Sequence, residues 1–210
     1  MSIVKLSNRG VRNVSEFGSL APGSMVFIKK VTASSDGDIS FVDGTSDVVL
    51  DDTYKEYIFT YNNMHPSADA AKFLFQGNAA GGSGYNETIT STFFYAYVKE
   101  SDGSDGTLMY NTGRDLAQST SFHTISADDT GTDNDLALSG YLHLFNPSST
   151  TFVKHFISRV SNPNASGSST YMCDCYSAGY FNTTSAIDEI QFKFASGNID
   201  AGDICLYGIL

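Results

Sequence analysis

Four histidines, three cysteines and 23 acidic residues are the side chains of this 210-residue chain with the widest reach for chemistry. The histidines are His65, His123, His143 and His155. His143 and His155 flank the turn Asn146-Pro147-Ser148-Ser149-Thr150. A hairpin symmetric about Ser149 sets Phe145 against Val153 and His143 against His155. Two facing imidazoles could hold a metal or sense pH. Such a pair lacks further ligands here, and its nearest charged neighbour, Lys154, faces the other side. A pair of histidines on a polar sheet face is the better reading.

Nucleophilic and hydrolytic chemistry has less support. The chain has no G-x-S-x-G elbow, no H-E-x-x-H, and no cysteine at a helix start with a partner histidine. No spacing singles out two of its acids as a glycosidase pair. Calcium wants six to eight oxygens from flexible loops. Asp128-Asp129-Thr130-Gly131-Thr132-Asp133-Asn134-Asp135 and Ser101-Asp102-Gly103-Ser104-Asp105-Gly106 offer some, yet neither matches the D-x-[DN]-x-[DN]-G-x5-E loop. Solvated acidic turns between strands explain both. Cys173 and Cys175 lie two apart on one strand face, a poor disulfide, and Cys205 could meet either across neighbouring strands. Small buried hydrophobes is the simpler assignment. Tyr85, Tyr110, Tyr171 and Tyr180 could stack on sugars, but most of 27 aromatics in a β-protein belong to the core or to cross-strand pairs. The expectation is a protein that is not an enzyme and needs no cofactor or metal.

The elements that would carry these residues are strands. Aromatics make up 13% of the chain and charged residues only 17%, which excludes intrinsic disorder. From Ser24 onward the hydrophobic period is two almost everywhere. Met25–Val31, Ile39–Val42, Tyr57–Tyr61, Ala71–Phe75, Thr92–Val98, Tyr141–Phe145, Phe152–Val160, Thr170–Phe181, Ile187–Phe194 and Ile204–Gly208 read as about ten strands. Gly, Asn, Asp and Ser clusters separate them, and only 112–118 offers as much as two helical turns. Short strands without interleaved helices predict an all-β antiparallel sandwich, jelly-roll-like.

Residues 1–20 hold Lys5, Arg9 and Arg12, a quarter of the chain's 12 basic residues, ahead of a body that brings the net charge to −11. The reading is an attachment arm over 1–20 and a sandwich domain over 21–210. Strong acidity argues against nucleic acid or anionic membrane as partner. No apolar stretch of signal-peptide or membrane-span length occurs, so a soluble chain made in a cytoplasm is expected.

Several blocks point further: 40–44 with 47–51 and 54–57; Asp115-Leu116-Ala117-Gln118-Ser119-Thr120; the stretch from Leu142 to Phe156; and Ala178-Gly179-Tyr180 through Gln191-Phe192-Lys193 to Leu206-Tyr207-Gly208. Together they resemble a family of small virion structural proteins from tailed phages of marine bacteria, including cyanophages and pelagiphages. The resemblance runs from about Val11 to Ile209. It implies a β-rich subunit assembled on a phage particle after synthesis in the host cytoplasm, and it carries no catalytic or binding residues with it. The expected role is an outer capsid decoration, cement or fibre-like protein, whose partners are capsid or tail proteins. The alternative is a tail-associated module that binds a host surface glycan or protein. In Phe93, Phe94, Tyr95 and Tyr97, bulky aromatics occupy both faces of one strand. One face can enter the core; the other predicts an interface between copies, with a trimer favoured by the three-fold sites of virions.

Overall fold

The computed structural model describes residues 24–127, 130–166 and 169–210. Twelve strands are described, two more than expected. They are β1 (Met25–Thr32), β2 (Ile39–Val42), β3 (Glu56–Pro66), β4 (Phe73–Ala79), β5 (Ile89–Lys99), β6 (Thr107–Tyr110), β7 (His123–Thr124), β8 (Leu138–Phe145), β9 (Lys154–Ser166), β10 (Ser169–Phe181), β11 (Ile187–Phe194) and β12 (Ile199–Ile209). The architecture is an all-β antiparallel sandwich. One sheet runs β1-β12-β3-β8-β9-β10-β5-β6 and the other β2-β11-β4-β7.

That order has a simple origin. Setting aside the hairpins β5–β6 and β9–β10 leaves two four-stranded sheets, β1-β12-β3-β8 and β2-β11-β4-β7. The chain then passes between sheets at nearly every connection, which is the double Greek key of a jelly roll. The two hairpins are insertions. They add four strands beside β8, so the larger sheet extends past its smaller partner.

Alternation along the strands drives the packing. β3 turns Tyr57, Phe59 and Tyr61 inward, while β11 turns in Ile190, Phe192 and Phe194. Phe192 is the hub between the layers. Its ring lies 5.4 Å from both Phe59 and Tyr61 on the opposite sheet, and 5.9 Å from Phe73 beside it. Phe75 meets Phe156 edge-on at 4.9 Å across the same gap. Such edge-to-face pairs add to the burial each ring already contributes.

Beyond the smaller sheet, the inner face of β10 and β5 is covered by residues 111–127. The expected two-turn helix there is one 3-10 turn, Thr112–Arg114. It ends because the carboxylate of Asp115 accepts from the backbone N–H of Phe93 at 2.8 Å, drawing the chain out alongside β5. Leu116 and Ser119 continue that pairing: the Leu116 carbonyl accepts from the Ser91 N–H, and Ser119 exchanges backbone bonds with Ile89.

Candidate interaction surface

Among the described residues, most exposed large apolar side chains stand on the outward face of the eight-stranded sheet. Its rows follow from the register. One row passes Phe27, Tyr207, Ile58, His143, Ile157 and Ala178. The next passes Thr60, Tyr141, Arg159, Tyr176, Phe94 and Tyr110. Leu108 follows beside Ala96, and Met172 beside Val98. Large apolar side chains stand exposed along all of it, from Met25 and Phe27 on one edge to Leu108, 68% exposed, and Tyr110, 58% exposed, on the other. The outward face of the smaller sheet is more polar, with Ser40, Gln191, Glu189 and Lys193 beside Val42 and Leu74.

Polar groups on the larger face are paired with one another. Arg159 donates Nε and Nη2 to the two carboxylate oxygens of Asp174, at 3.0 and 2.8 Å. This bond to Arg159 holds the Asp174 carboxyl below its usual range. The same guanidinium lies 4.9 Å from the ring of Tyr176, which is stacked on Phe94 at 5.0 Å. Lys30 donates to Asp203 at 2.8 Å, and His143 Nε2 lies 2.8 Å from Glu56 Oε2 with its ring stacked on Phe145.

The aromatics of β5 that the sequence singled out divide between the two sides of this sheet. Phe94 is on the outward side, but Phe93 points the other way and is fully buried in the core. Tyr95 and Tyr97 share the inner side with Phe93 and are partly buried against it. Lys5, Arg9 and Arg12 lie outside the described residues. The facing pair of histidines does not form. Register across β8–β9 pairs His143 with Ile157, while His155 lies beside Tyr180 of β10. The cause is an asymmetric loop. Asn146 takes a positive φ of 46° and its N–H bonds the Lys55 carbonyl, and β9 starts only at Lys154.

The remaining chemical candidates are spent on structure. All three cysteines are buried and none forms a disulfide, with burial pushing the Cys175 thiol well above its ordinary range. His123 is fully buried, its Nδ1 3.2 Å from the hydroxyl of Ser91, and burial lowers its pKa to about 3. This Ser–His pair is sealed between Phe75 and Phe156, so no substrate can reach it. Arg114, also buried, donates to the Ser126 carbonyl at 2.8 Å and lies over the rings of Phe93 and Tyr95. In the acidic turns, Asp102 accepts from the backbone of Ser104, as a turn cap does, while Asp69 reaches from a distant loop to accept from the backbone of Thr132. Among the described residues, no three His, Cys, Asp or Glu side chains converge as a metal site. Of the four candidate sugar platforms, Tyr110 is the exposed one, and its hydroxyl donates to Asp115. A cleft of about 430 Å³ opens between the edge strands β1 and β2, lined by Lys29, Thr32, Ser40, Val42, Thr45 and Val48 among others.

No known protein family, characterised protein or solved structure matches the chain. The jelly roll is therefore assigned from its strand order alone.

Proposed function

We propose that this protein is a non-enzymatic structural component of a bacteriophage virion, an outer decoration, cement or fibre-like subunit. The observation that carries the reading is a jelly roll offering one broad apolar sheet face whose charges are paired with one another. Its buried polar groups, His123, Arg114 and Lys154, tie the scaffold together instead of lining an accessible pocket. Jelly rolls serve as capsid and lectin domains among other roles, a fold-level analogy that agrees with the sequence resemblance to marine-phage virion proteins.

In this reading the basic segment with Lys5, Arg9 and Arg12 attaches the subunit to the particle, and the acidic sandwich faces solvent. Deleting residues 1–20 tests it. A truncated chain that keeps its β-sheet circular dichroism but no longer joins particles supports the proposal; undiminished incorporation contradicts it. Copy number separates decoration, with hundreds of subunits expected, from the receptor-binding alternative confined to tail tips.

A further inference from the structure

We infer that the outward face of the eight-stranded sheet is the surface on which two copies of this chain pack face to face. The inference rests on the structural reading above and names the partner of that surface.

Three features of the face select a second copy. The first is polarity. Phe27, Tyr141, Ile157, Phe94, Leu108 and Tyr110 are each at least 37% exposed and lie on one side of one sheet. Isolated exposed hydrophobes need no explanation, but a contiguous set of this extent marks an interface.

Charge is the second. The chain carries −11, so two copies repel through most of their surface. Along the regular part of this face the charged side chains are Lys30 and Arg159 against Asp203, Asp174 and Glu56, close to balance. Both cations are already held by carboxylates of the same face. Two acidic bodies can approach here without a field between them. Nucleic acid gains nothing from so neutral a surface.

Size is the third. Eight strands about 4.8 Å apart, carrying about four outward residues each at about 6.8 Å spacing, give roughly 900 Å². A stable interface needs about 800 Å² per partner. The face is also ordered in advance. Phe94 on Tyr176, and Arg159 over that ring, fix aromatic and arginine anchors of the kind that dominate binding energy, so little side-chain entropy is lost on contact. A face that packs on its own copy closes as a pair about a two-fold axis, in place of the trimer suggested by virion symmetry.

Light scattering of the full chain at micromolar concentration tests this, with Ile157→Glu at the centre of the face and Leu108→Glu at its edge. Phe152→Glu serves as control, since Phe152 is equally exposed but lies in the β8–β9 loop. The expected result is a mass twice 22.6 kDa for the wild type and the control. Each face variant should raise the dissociation constant about 30-fold or more, with unchanged circular dichroism. A wild-type monomer or trimer overturns the inference, as does a pair that either folded face variant leaves intact. If Ile157→Glu fails to fold, Leu108→Glu decides. Incorporation into particles is scored separately: a monomer that joins them overturns the pair and not the virion role, and a pair that never joins them does the reverse.

Discussion

The hydroxyl of Ser91 on β5 and Nδ1 of His123 on β7 lie 3.2 Å apart inside the sandwich, joining the inserted hairpin to the smaller sheet. The same hydroxyl accepts from the backbone N–H of Leu116. Ser91 thus fixes both the strand β7 and the segment leading to it. His123 Nε2 has no hydrogen-bond partner among the described residues, and nothing anionic is bonded to the ring. The imidazole is built to stay neutral.

Acid should therefore destabilise the fold well above the range where carboxylates titrate. Burial depresses the folded pKa of His123 from 6.5 to about 3. The unfolded chain takes up a proton below pH 6.5 that the folded chain refuses, so stability is full above 6.5 and falls as pH drops toward 3. The slope is about 1.4 kcal/mol per pH unit within that window, for a total of about 5 kcal/mol. Denaturant midpoints at pH 7 and pH 4.5 check it. A His123→Leu variant should be less stable at pH 7 by about 1–3 kcal/mol, through the lost bond to Ser91, and markedly less sensitive to the pH change. Equal sensitivity in both proteins would contradict the assignment.

Phe192 should be the costliest single truncation in the core. Its ring contacts aromatics of both sheets, so Phe192→Ala opens a cavity that neither layer can collapse into alone. A loss of about 3–5 kcal/mol is expected from the shift in denaturant midpoint. A loss under 1 kcal/mol would mean that the two sheets do not pack through this cluster.

The thiols should be silent in the native state. Cys173, Cys175 and Cys205 are buried and form no disulfide, and burial, then the neighbouring Cys173, raises the Cys175 thiol further. An aromatic disulfide reagent should modify all three only after unfolding. Rapid reaction of the folded protein would show that this part of the sheet is open.

Period-two alternation carried most of the fold into view. Strands such as Tyr57–Tyr61 and Ile187–Phe194 announce themselves because one face is buried and the other solvated. β6 was illegible because all four of its residues are exposed and nothing alternates. β7 has two residues, too few for any period. The site was legible only in part. Phe94 was found from its type, but which face of β5 looks outward depends on pairing with β10, whose residue Tyr176 is 82 positions away. The contact between His143 and Glu56 depends likewise on β8 lying beside β3, 87 positions apart. Local spacing holds no trace of such partners.

Cryo-electron microscopy of the intact phage particle tests the central claim most directly. The account predicts a jelly-roll density of this chain on the outside of the head or tail, attached through residues 1–20, with the sandwich in solvent. Purified, infectious particles that contain no copy of the chain would contradict it.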